Sequence, residues 1–187
     1  VLYIIGTYHC TQYIYRADNL NHGYRVEEFA AYLREQAIGL HIELLAEELS
    51  KEAITQNMNC AIDSNARRVA AHIGIAHVFC DPDSAQRKIL GIPSEREIRE
   101  HLGLGRVLDH DAVRLVDEES QKHWSVREEL WLNCMSSRLQ NNILFVCGES
   151  HVRRFADLVL QHGHQVQILI ENWYANPGEI TPPRSRS

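Results

Sequence analysis

The chain has 187 residues, 44% hydrophobic and 24% charged, the composition of an ordinary globular domain that can bury a core without disulfides or a structural metal. Nineteen Lys and Arg against twenty-five Asp and Glu give a net charge of -6, which offers no electrostatic footprint for nucleic acid or an anionic membrane. No apolar run reaches the ~18 residues of a membrane-spanning helix, so neither a nucleic-acid nor a membrane partner is expected.

Val1 to Ile5, VLYII, is a short continuous apolar run closed by Gly6, as in a strand buried on both faces of a parallel sheet. Residues 26–38 follow as an amphipathic helix with Phe29, Ala30, Leu33 and Ala37 on one face and Gly39 as C-cap. A second strand is expected at Leu40 to Ala46, a long helix from about Ser50 to His72 closing at Gly74, and a third strand at Ala76 to Cys80. Residues 81–139 read as mostly helical, cut by Gly91, Pro93, Gly103 and Gly105 into a lid or a helical flank. Asn142 to Cys147 is a further buried strand, Val152 to Gln161 an amphipathic helix and Val166 to Ile170 the last strand. Alternating strands and helices predict an α/β fold, a single domain over residues 1–176 with a mainly parallel sheet flanked by helices. The segment from Pro177 to Ser187 has the composition of a disordered tail.

The cysteines, Cys10, Cys60, Cys80, Cys134 and Cys147, are odd in number and scattered, with no Cys-x-x-Cys pair. Reduced thiols and a cytoplasmic location are the expectation, since the chain also opens on a strand without a charged leader-like segment.

In open parallel sheets, ligands bind beyond the carboxyl ends of the strands. The residues at those ends are polar: Gly6-Thr7-Tyr8-His9, Glu47-Glu48, Asp81-Pro82-Asp83 and Gly148-Glu149-Ser150-His151. Two of the four share Gly-x-x-His, where a glycine frees the backbone to turn and a histidine three residues on can return over the sheet. Two imidazoles and a carboxylate can act as general bases or hold a metal. Against this stands the commoner fate of a histidine after a strand, which is structural.

These motifs, with the helix Ser125-Val126-Arg127-Glu128-Glu129-Leu130-Trp131, resemble the TIKI/TraB, erythromycin-esterase and ChaN-like superfamily. The resemblance spans most of the chain and implies a hydrolase, metal-dependent in the peptidase branch and less so in the esterase branch. By that similarity His9 and His151 take the motif histidines, Glu47 or Glu48 the acidic position and Arg127 the helix arginine. Strand parity puts Glu47 and Glu48 on opposite faces, so one of them serves the site, and Glu47 is the choice. A metal set of His9, Glu47 and His151 would suit zinc or manganese. Arg127 would hold an anionic part of the substrate, a small molecule or a peptide.

Other residues carry weaker signals. Asp81 could join a metal set or position Arg87, whereas Asp83 reads best as the N-cap of a helix from Ser84. Arg153 and Arg154 open a helix and read as solvated charges. Ser150 only partly imitates a nucleophile elbow, Cys10 lies beside a motif histidine, and Cys147 reads as core. Tyr8, Tyr13 and Tyr15 either line a pocket or pack under a loop. The rival to a hydrolase is a non-catalytic domain that binds a small anion or regulates, since no Gly-x-Gly-x-x-Gly or Walker motif is present. An uncovered apolar helix face would pair with a second copy, making a homodimer the expected assembly if one forms.

Overall fold

The computed structural model describes residues 1–16, 18–55, 61–105 and 109–173. The expected tail falls outside these residues. At the centre lie five strands: β1 (Leu2–Thr7), β3 (Leu44–Glu47), β5 (Ala76–Phe79), β6 (Ile143–Gly148) and β7 (Val166–Ile170). They pair in the order β5-β3-β6-β1-β7, every pairing parallel. The α/β class read from the sequence is therefore the fold observed. The apolar runs behave as expected of strands covered on both sides: β6 is buried along its whole length, and Ile4, Ile5, Leu144 and Phe145 are inaccessible.

Alternation along each strand divides the core. Leu2, Ile4, Ala46, Ile143 and Phe145 face one layer, built from α9 (Trp124–Met135) and α10 (Val152–Gln161) through Trp131, Met135, Phe155 and Val159. Ile5, Leu45, Leu144 and Val146 face the other, where α3 (Val26–Gly39) and α5 (Asn65–Ile73) contribute Phe29, Leu33, Val69 and Ala70. Burial of such side chains, at roughly 25 cal/mol per Å² of apolar area, is the main force holding both layers on the sheet.

Two departures from the sequence reading have local causes. The second strand begins at Leu44 rather than Leu40, because Leu40 caps α3 and His41 adopts a left-handed φ of 51° that ends any extended run. The long helix expected over residues 50–72 is split into α4 (Lys51–Thr55), a strand β4 (Ala61–Ser64) and α5. Ser64 is extended and its side chain accepts from Arg67 N at 3.2 Å, so an N-cap starts α5 in the middle of the expected helix. β4 pairs antiparallel with β2 (Tyr13–Tyr15), a strand with no counterpart in the sequence reading. The two make a small second sheet whose tyrosines pack with Leu49 and Ile54.

Residues 81–105 and 109–139 are mostly helical as expected, with α6 (Ser84–Ile89), α7 (Glu95–His101) and α8 (His110–Gln121) preceding α9. Asp83 caps α6 through Gln86 N at 2.8 Å, the role read for it. Among the described residues no helix is long and apolar enough to cross a membrane.

Candidate functional site

Three adjacent strands, β3, β6 and β1, each hand one residue to the same crevice. Glu48 follows β3, His151 ends the 3-10 turn after β6, and His9 opens the short helix α1 (His9–Gln12) after β1. Because β6 lies between the other two, the two Gly-x-x-His loops are side by side, and Gly6 is in register with Cys147 and Thr7 with Gly148.

The motif glycines are needed for space. A Cβ on Gly6 would lie 2.0 Å from the Glu171 carbonyl oxygen and 2.5 Å from a Val152 methyl. At Gly148, whose φ of -60° any residue adopts, a Cβ would come within 3.3 Å of both Glu48 Oε2 and His9 Nε2. The second glycine thus lets the carboxylate and the imidazole lie against the strand end.

Glu48 is the hub. Its side chain is fully buried; Oε2 accepts Gly148 N–H at 2.7 Å and Oε1 accepts Arg127 Nη2 at 2.6 Å. His151 Nε2 lies 3.6 Å and His9 Nε2 3.9 Å from that same Oε1. Burial pushes the Glu48 carboxyl up, but Arg127, then His9, His151 and the Gly148 N–H, outweigh it and hold the group down at about 2. Arg127 in turn donates from Nε to Asp81 Oδ1 at 2.9 Å and lies over the Trp131 ring, whose Nε1–H also donates to Asp81. Asp81, at the end of β5, pairs with Arg87 as well.

The histidines differ in their surroundings. His151 is buried; its Nδ1 is 2.9 Å from Glu128 Oε1, and Trp124 and Trp131 flank its ring at 4.4 and 5.0 Å between centroids. Glu128 also receives Arg154 at 3.4 Å. The His9 side chain is half exposed, with Nδ1 3.4 Å from Gln12 Nε2. Both imidazoles border a cavity of about 420 Å³ roofed by α6 to α9, with Ile92, Pro93, Val116 and Trp124 as apolar wall. Helices α6 to α9 thereby form the roof of the crevice.

Of the acidic pair, Glu48 is the member brought to the histidines, and the choice of Glu47 is corrected. Glu47 points through the other face of the sheet, where Ser64 Oγ donates to Oε1 at 2.5 Å and His77 Nε2 is 2.7 Å from the same atom. Parity predicts that the two differ but not which face the crevice adjoins. The expected metal set fails on this account, and Glu48 is a poor replacement because an arginine and a backbone N–H already occupy its oxygens. Among the described residues no group of three His, Cys, Asp or Glu is placed to hold an ion. Arg127 lines the cavity with its Nε and Nη2 already held by Asp81 and Glu48.

Two residues, Glu128 and Gln12, escaped the sequence reading as site members. Glu128 was visible only as a surface partner for its arginine neighbour, yet helix α9 places Arg127 and Glu128 on two different site residues. Asp81, read as a metal ligand or a partner of Arg87, pairs with Arg87 on the cavity wall and with Arg127, whereas Gln12 carried no signal. Tyr13 and Tyr15 belong to the packed second sheet, while Ser150 borders the cavity. Cys147 is core, with its thiol pushed well up by burial. Arg153 pairs with Glu171.

Compared with protein-family models, with curated proteins and with solved structures, the chain matches none of them.

Proposed function

We propose that the protein is a hydrolase of the TIKI/TraB and erythromycin-esterase-like kind that activates water with its two strand-end histidines and needs no metal to do so. The observation that carries this reading is the approach of both Nε2 atoms to one buried carboxylate oxygen, at 3.6 and 3.9 Å, with both imidazoles lining one cavity.

The partners of the two Nδ1 atoms divide the work. A carboxylate can only accept, so the Glu128 contact puts a proton on His151 Nδ1 and leaves Nε2 with a lone pair, the form of a general base. With the Gln12 amide NH2 turned towards it, His9 Nδ1 accepts and the proton rests on Nε2. His151 then takes a proton from water while His9 Nε2–H steadies the developing oxyanion or protonates the leaving group. Glu48 stabilises positive charge gained by His151, and Arg127 holds Glu48 in place. A small-molecule substrate suits a cavity of about 420 Å³ better than a long peptide, and the cytoplasm suits the free thiols of Cys10, Cys80, Cys134 and Cys147.

In the rival reading, a small-anion-binding domain, the cavity-lining cation Arg127 is shared with Glu48 and Asp81. The test is hydrolysis of p-nitrophenyl acetate and of a peptide p-nitroanilide by the wild type, His9→Ala, His151→Ala and Glu128→Gln, with Arg153→Ala as control. Expected is turnover of at least one probe, a loss of roughly 10²–10⁴-fold in kcat/KM in both histidine variants, and a rate unchanged by EDTA. No turnover by the wild type on either probe, or histidine variants as fast as the control, would reject the hydrolase. A rate abolished by EDTA would reject metal-free chemistry.

A further inference from the structure

Outside the crevice, one pair of nucleophilic side chains has no part in the proposed chemistry. Cys80 follows β5 and is buried against Trp131, Leu132 and Met135 of α9, while Cys134 on that helix is exposed. Positions 127, 131 and 134 lie along one face of α9. Arg127 and Trp131 both reach Asp81, and one turn further Cys134 Sγ meets the Phe79 carbonyl at 3.8 Å, so the helix runs along residues 79–81 with its thiol beside Cys80.

The geometry points to a redox-active dithiol at Cys80 and Cys134 that closes to a disulfide with a low-molecular-weight disulfide as oxidant and ties α9 to the end of β5.

The two thiols are unequal in the way such exchange requires. A hydrogen bond from Cys80 brings Cys134 down to about 7, against an opposing effect of burial, so at neutral pH much of the accessible thiol is thiolate. The Cys80 thiol is raised well above the ordinary range by its side-chain hydrogen bond with Cys134 and by burial. Cys134 thiolate attacks one sulfur of the oxidant R–S–S–R, forming Cys134–S–S–R and releasing R–S⁻. Cys80 then loses its proton to solvent and attacks the Cys134 sulfur, expelling a second R–S⁻. In balance, the two protein thiols lose two electrons and two protons, and the oxidant becomes two R–SH. The bond would close a loop containing α6 to α9, the whole roof of the cavity. Its bearing on activity rests on the proposed hydrolase, because Arg127 and Glu128 ride on the tied helix, but its formation does not.

The experiment uses the full chain treated with oxidised glutathione at pH 8, quenched with N-ethylmaleimide, digested without reductant and read by mass spectrometry, with Cys134→Ser alongside. The result expected is a Cys80–Cys134 crosslinked peptide absent from the variant, reversed by dithiothreitol, and a Tm raised by roughly 5–10 °C in the oxidised wild type alone. Accumulation of a stable glutathione adduct on Cys134, crosslinking of Cys134 to Cys10, Cys60 or Cys147, or alkylation of both thiols without a crosslink would overturn it. None of these readouts depends on turnover, so the dithiol and the hydrolase can fail separately.

Discussion

Among the described residues Glu48 carries the carboxylate to which both imidazoles and a guanidinium turn, and its ionisation is therefore coupled to folding. Its pKa stands at about 2 in the folded protein against an ordinary 4.5. A depressed carboxyl contributes stability that is fully present above the unfolded value and is lost as pH falls through the folded one. The shift corresponds to about 3 kcal/mol, present above pH 4.5 and lost between there and pH 2. Thermal unfolding of the wild type and Glu48→Gln, followed across that range, should show curves that converge as pH drops; parallel curves would mean that Glu48 is not held down by its neighbours. Removing the guanidinium is the harsher change. Arg127→Met leaves the buried Glu48 without its guanidinium and takes one of two arginines from Asp81, and is expected to cost about 3–5 kcal/mol at pH 7, measured by urea denaturation. A loss below about 1 kcal/mol would show that solvent reaches the pair.

At the level of elements, the loops after β1 and β6 work because two glycines remove the atoms that would separate them. At Gly6 an added methyl meets backbone, the Glu171 carbonyl, which cannot step aside without moving the end of β7. Gly6→Ala is expected to destabilise by at least about 2 kcal/mol. At Gly148 it meets the ends of two side chains, of which the half-exposed His9 can swing away. Gly148→Ala should then keep most of its stability while losing esterase activity to the level of His9→Ala. Urea denaturation and the p-nitrophenyl acetate assay on both variants separate the two; an active Gly148→Ala would show that His9 need not lie against β6. The spacing Gly-x-x-His was legible in the sequence, but as a turn signal. The crowding that requires glycine comes from β7, α10 and Glu48, residues distant in the chain.

Across the whole molecule, the two layers of the sheet and the roof of the cavity are unequally anchored. β6 is buried throughout, whereas α6 has no buried residue, α7 only Ile98 and α8 only Val116. Helices attached by so few apolar contacts open at low free energy, so amide exchange in α6 to α8 is expected to be at least 100-fold faster than in β1 and β6. Equal protection would make the roof part of the core. The sequence by itself determined the α/β class and the parallel strands, because continuous apolar runs and amphipathic helices are local patterns dictated by burial. It also marked His9, His151 and Arg127, which stand at strand ends or on a distinctive helix. Only the tertiary structure decided that Glu48 rather than Glu47 joins them, because the face on which α9 and α10 pack is not encoded in strand parity. The same packing made Glu128 a partner of His151 and gave Asp81 Arg127 as a partner beside Arg87, since a side chain's electrostatic role is set by what the fold brings within a few ångströms of it.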